Sequence, residues 1–151
     1  MKTKTIITEL TQEDLVNLLC TATYGSNWLS CSAPDRRHIV VEENDCREDI
    51  WAKVLLAGDH IVCTDYYAEG ECYGKLPCKI DDEDNADYTL SLQDIINGLQ
   101  KCSDGDYVEA EEHGVWISKC FRELQNGGYD LDNPQAETLM QIILFGELIY
   151  G

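Results

Sequence analysis

Residues 60–99 read HIVCTDYYAEGECYGKLPCKIDDEDNADYTLSLQDIINGL, and this stretch decides the fold. It opens on a β-branched and aromatic run, 60–67, which predicts a strand. A Gly- and Pro-punctuated loop follows over 68–86, with Gly70, Gly74 and Pro77. Residues 87–90 predict a second strand. Ser91 then caps a helix, with Asp94 at the reciprocal position and Leu92, Ile95, Ile96 and Leu99 at helical spacing. Two strands in succession with no helix between them break the regular βαβ alternation of a parallel sheet.

Upstream, residues 3–9 predict a strand. Thr11 and Asp14 predict a capped helix carrying Leu15, Leu18, Leu19 and Ala22 and stopping at Gly25. Residues 26–37 read as irregular and 38–42 (HIVVE) as a short strand. A second helix is expected over 46–57, with Ile50, Trp51, Val54 and Leu55 inward and Gly58 as its stop. Downstream, a helix is expected over 107–125 with Val115, Trp116, Cys120, Phe121 and Leu124 inward, weakened at Gly114 by about 1 kcal/mol relative to alanine. Asn126, Gly127 and Gly128 break the chain. Asn133 is expected to cap a last helix with Pro134 in its first turn, Leu139, Met140, Ile143 and Leu144 forming its core face. The expectation is one α+β domain over 1–151: a small, mostly antiparallel sheet packed with about five helices on one face.

Charge narrows the partners. The 151 residues hold 29 Asp and Glu against 11 Lys and Arg, a formal net charge of −18. Such a field repels nucleic acid and anionic membranes and attracts basic surfaces. No basic stripe exists for direct DNA or RNA binding. No apolar run approaches the ~20 residues that span a bilayer, and MKTKTIITEL lacks the apolar core of a signal peptide. The eight cysteines, at 20, 31, 46, 63, 72, 78, 102 and 120, show no paired spacing, which suggests free thiols in a reducing cytoplasm.

Chemical motifs fail on inspection. His60, Cys63, Cys72 and Cys78 are the tightest group of soft ligands, but the Cys72–Cys78 gap is too wide for a zinc knuckle and no second pair exists. A calcium loop begun at Asp81 would place Ala86 where Gly belongs and Leu92 where Glu belongs; one begun at Asp130 places Gln135 at the glycine position. His38, His60 and His113 have no local signature pairing them with a cysteine nucleophile. There is no phosphate-binding loop and no G-x-G-x-x-G. No catalytic residue, cofactor or metal is assigned.

The acidic residues cluster instead. Glu42, Glu43 and Asp45 form one group, with Glu48 and Asp49 beyond them. Asp81, Asp82, Glu83, Asp84 and Asp87 form a second. Asp104, Asp106 and Glu109 form a third, with Glu111 and Glu112 beyond. Carboxylates spaced on a folded surface can imitate the phosphates of a nucleic acid to a protein that binds one. Tyr66 and Tyr67, on the border of the acidic loop, would supply the aromatic anchor that rim charges lack. A second reading is a small-ligand site that sequesters a signalling nucleotide, with Tyr24 and Trp28 stacking and Arg36 and Arg37 on phosphate. An enzyme of unrecognised type is a third, and a structural or regulatory protein without a defence role is the remaining one.

Three segments taken together, TELTQEDLVNLLCTATYGSNWL, YTLSLQDIINGLQ and AETLMQIILFGELIYG, resemble a group of small acidic proteins encoded by phages and mobile elements of gut-type Firmicutes. The resemblance covers about half the chain and carries no site residues with it. It implies an accessory protein acting in the cytoplasm of a bacterial host. Joined to the charge, it leads to the expectation of a protein that binds and inhibits a basic nucleic-acid-binding defence protein, such as a CRISPR effector or a restriction enzyme.

Overall fold

The computed structural model describes residues 9–104, 111–125 and 131–150. The expected strand at 3–9 lies outside them apart from Glu9. Helix α1 (Gln12–Thr23) begins where the sequence places it. The Asp14 N–H donates to Thr11 Oγ1 at 3.1 Å and the Thr11 N–H to Asp14 Oδ2 at 3.0 Å. Strand β1 (Leu29–Ser32) follows, then α2 (Arg47–Leu56), β2 (Ile61–Asp65), β3 (Cys78–Ile80), β4 (Ala86–Leu90), α3 (Leu92–Asp104), α4 (Glu111–Gln125) and α5 (Asn133–Phe145). The four strands form one antiparallel sheet in the order β1-β2-β4-β3. The fold is thus α+β, with five helices and a small antiparallel sheet among the described residues.

Period-two alternation sets the buried face of that sheet. Ile61, Cys63 and Asp65 on β2, with Ala86, Tyr88 and Leu90 on β4, have no exposed surface, while the residues between them are half-buried. Helices α1 and α2 pack on β1, and α5 packs against α1, α3 and α4. The buried side chains form one continuous cluster. Fully buried Leu and Ile side chains such as Leu15, Leu55, Ile95 and Leu139 each contribute about 1.5–3 kcal/mol relative to exposure. In α4, Cys120, Phe121 and Leu124 face inward and Trp116 is half-buried; the side chain of Val115 and residues 107–110 lie outside the described set.

Five expectations are corrected. The segment 38–42 is not a strand: β2 is already paired on both edges, Val40 is 77% exposed, and its carbonyl accepts from Lys53 Nζ at 3.1 Å. The irregular stretch 26–37 contains β1, and the loop 68–86 contains β3, both fixed by register with neighbours rather than by their own composition. The cap of α5 is Asp132, whose carboxylate accepts from the Gln135 N–H at 2.9 Å. Asn133 sits inside the first turn and donates through Nδ2 to Thr21 O at 2.9 Å, tying α5 to the end of α1. Last, the cysteines are not all free: Cys72 and Cys78 form a disulfide across the loop that leads into β3.

Candidate functional site

The acidic loop and the two tyrosines come together at one end of the sheet. Asp65, the last residue of β2, pairs with Ala86, the first of β4. The chain leaving Asp65 is turned at once: the Tyr66 N–H donates to Trp28 O at 2.8 Å, Tyr66 Oη shares a hydrogen bond with Ser30 Oγ at 2.9 Å, and the Tyr67 N–H donates to Asp65 Oδ1 at 2.9 Å. Three residues on, the Gly70 N–H donates to Asp84 O at 2.8 Å, which seats 66–70 against the β3–β4 turn. Glu69 and Asp84 both adopt left-handed backbone, φ 51° and 64°.

Asp81 builds that turn. Its carboxylate accepts from the Glu83 N–H at 2.8 Å, the Asn85 N–H at 2.9 Å and Asn85 Nδ2 at 3.2 Å. The Asn85 backbone donor, above all, holds the Asp81 carboxyl below its usual range. Asp82, Glu83 and Asp84 are left exposed, beside Tyr66 and Tyr67 at 50% and 48% exposure. Asp87 pairs across the sheet with Thr64 and accepts from its Oγ1 at 2.5 Å.

The first acidic group stands on a different element. Glu42 and Glu43 are exposed in the loop before α2. Asp45 is not presented: it accepts from Lys53 Nζ at 2.6 Å and from the Glu42 N–H at 2.8 Å, and its side chain is 10% exposed. The Lys53 ammonium, first of all, lowers its pKa. Of the third group, Asp104 ends α3, and Asp106 and Glu109 lie outside the described residues.

Beneath the tyrosines is an arrangement the sequence reading missed. Asp65 has no exposed surface, and Tyr150 Oη donates to its Oδ2 at 2.6 Å. Burial raises the Asp65 pKa, opposed by the bonds from Tyr150 and from the Tyr67 N–H. Burial, reinforced by Asp65, also pushes the Tyr150 hydroxyl up. The Tyr150 ring packs 5.5 Å from Trp28, 5.7 Å from Tyr67 and 5.8 Å from Phe145, centroid to centroid. Gln141 holds the segment down: its Oε1 accepts from the Ile149 N–H at 2.9 Å and the Tyr150 N–H at 2.8 Å. A signal for Asp65 was available, since alternation with Ile61 and Cys63 places it inward. None existed for its partner 85 residues away.

The nucleotide-site residues are not assembled. Trp28 is 4% exposed and enclosed by Phe145 and Tyr150, so no ring face is left for a base. Arg37 is held by Asp35 at 2.8 Å, and Arg36 Nε donates to Ala33 O at 2.9 Å. Tyr24 stands 76% exposed. The soft-ligand group is dispersed likewise, with Cys72 and Cys78 bonded to each other and Cys63 inside the sheet. Among the described residues no group of three or more His, Cys, Asp or Glu is placed to hold a metal ion. An open groove of about 420 Å³ lies between the 74–76 loop, α3 and the end of α5, lined in part by Lys75, Asp94, Asn97, Lys101 and Glu147. It includes none of the clustered carboxylates named above.

Comparison with protein-family models, curated proteins and solved structures finds no match to this chain. Among the described residues no helix is long and apolar enough to cross a membrane.

Proposed function

We propose that this domain binds and blocks a basic, nucleic-acid-binding protein of a bacterial host, the class that includes CRISPR effectors and restriction nucleases. The observation that carries the reading is the joint exposure of Asp82, Glu83 and Asp84 with Tyr66 and Tyr67 on one preformed end of the sheet. Carboxylates steer a basic partner and fill its phosphate sites; half-exposed tyrosines supply apolar contact that desolvates well. The net charge of −18 and the resemblance to phage and mobile-element proteins point the same way. Glu42 and Glu43 form a separate exposed acidic patch that widens the negative field.

The test has two stages. The domain is immobilised and used to capture proteins from a bacterial lysate at low and high salt. Captured nucleic-acid-binding proteins are then purified, and association is timed in the presence and absence of duplex DNA. The expected result is an on-rate that falls with salt and binding that competes with the duplex. A partner that binds the duplex and this domain simultaneously, with no salt dependence, overturns the reading.

A further inference from the structure

The register of the sheet lines up four residues in one transverse row. Cys31 on β1 pairs with Cys63 on β2, Cys63 with Tyr88 on β4, and Tyr88 with Cys78 on β3. Directly opposed residues of antiparallel strands project to the same face, so the two thiols of the first pair meet side by side. Their sulfurs are 3.5 Å apart and unbonded. Opposed residues in such a ladder have Cα atoms about 4.5–5.5 Å apart, inside the range a disulfide requires. Closing 3.5 Å to a bonded sulfur–sulfur distance takes a shift of about 1.5 Å, within the reach of side-chain rotation.

We propose that Cys31 and Cys63 are a redox modification site: a dithiol that a small disulfide such as oxidised glutathione converts to a reversible bridge stapling edge strand β1 to β2. Burial sets the order of events. Cys63 has no exposed surface, whereas Cys31 is half-buried on the outermost strand. Cys31, as thiolate, attacks one sulfur of the reagent. A Cys31–glutathione bond forms, the reagent's bond breaks, and one glutathione leaves as thiol with the proton Cys31 gave up. Cys63 then attacks the Cys31 sulfur. The protein disulfide forms, the second glutathione leaves as thiol with the Cys63 proton, and the two cysteines have together lost two electrons to the reagent.

The staple acts on the end of the sheet described above. Ser30, the neighbour of Cys31, holds Tyr66 Oη, and the Trp28 carbonyl holds the Tyr66 N–H. Locking β1 therefore fixes the platform on which Tyr66 stands.

The experiment treats the folded, wild-type chain with oxidised glutathione, caps remaining thiols with N-ethylmaleimide under denaturing conditions, and maps peptides by mass spectrometry. The expected product is a peptide pair joining Cys31 to Cys63, lighter by the mass of two hydrogen atoms than the dithiol and separated again by dithiothreitol. In Cys63→Ser, glutathione should stay on Cys31. In the bridged wild type, amide exchange over Leu29–Ser32 should slow. Recovery of both wild-type cysteines as maleimide adducts, or of Cys31 still glutathionylated with Cys63 free, overturns the proposal. The wild-type arm decides the matter even where the variant fails to fold.

Discussion

Tyr150 Oη lies 2.6 Å from Oδ2 of Asp65, a carboxylate with no exposed surface. The bond joins the segment after the last helix to the end of a central strand, and it gives a buried acid one of its two donors; the other is the Tyr67 N–H. Tyr150→Phe keeps the ring packing and removes the donor. A buried acceptor stripped of a partner costs about 1–3 kcal/mol, and urea denaturation of the variant should show a loss of that size. An unchanged midpoint would mean that water replaces the hydroxyl.

The same carboxyl sets a pH signature. Its folded pKa is raised, so the folded state binds more protons than the unfolded state between the ordinary carboxylate pKa and the raised one. Stability contributed by Asp65 therefore falls as pH rises through that window. Asp65→Asn removes the effect. Measured by denaturation at a series of pH values, the stability of the variant relative to wild type should increase as pH climbs from below that window to above it.

Asp45 has the opposite sign. Lys53 depresses its folded pKa, so its contribution is present above the ordinary carboxylate range and lost as pH falls through the depressed value. Lys53→Met should destabilise the protein at neutral pH. The gap between variant and wild type should close in acid, as thermal melts at both pH values would show.

Helices α3 and α5 meet at Gly98. A Cβ there would stand 2.6 Å from Ile143 Cγ1 and 2.7 Å from Ile143 Cα. Gly98→Ala should cost about 1–3 kcal/mol, the usual range for overpacking. Adding Ile143→Ala should not restore the loss, because the backbone clash remains once the side chain is trimmed. Full rescue by the double variant would show that the helices can slide apart.

Within the acidic turn, neighbouring carboxylates should behave differently. Asp82→Lys, Glu83→Lys and Asp84→Asn, the last chosen because residue 84 holds left-handed backbone, remove no hydrogen bond made by a side chain of the turn, so melting should stay near wild type while partner association slows. Asp81→Ala removes the acceptor for two backbone N–H groups and should loosen the turn itself, lowering the melting midpoint. Equal effects on association and melting across all four positions would remove the distinction between presented and structural carboxylates.

Local chemistry was the legible part of this fold. Thr11 with Asp14, and Ser91 with Asp94, announce helix starts because the reciprocal bond involves residues three apart. Strands β1 and β3 were illegible because four residues reading LSCS and three reading CKI carry little pattern of their own; each exists through its neighbour's register. The apolar run at 38–42 misled for the converse reason, since it has strand-like composition while its backbone is engaged elsewhere, Val40 O accepting from Lys53 Nζ. At the candidate site, clustering of acids was visible in the sequence. The internal duties of Asp45 and Asp81 were not, although Asp81 followed by Asn85 within a tight acidic run is a pattern that self-bonding turns favour.

The pairing of residues 65 and 150 also bears on how the chain is made. Ribosomes deliver about 5–20 residues per second, so roughly 4–17 s separate the emergence of Asp65 from that of its phenolic partner. Through that interval β2, and β4 once it is made, lack the Phe145 and Tyr150 groups that cover part of their buried face. The nascent chain must therefore hold an open apolar sheet whose terminal carboxylate has the Tyr67 N–H as donor but still lacks the Tyr150 hydroxyl. The exposure of this face to chaperones and to aggregation lasts until residues 145–150 are in place, and this part of the core closes only with Tyr150.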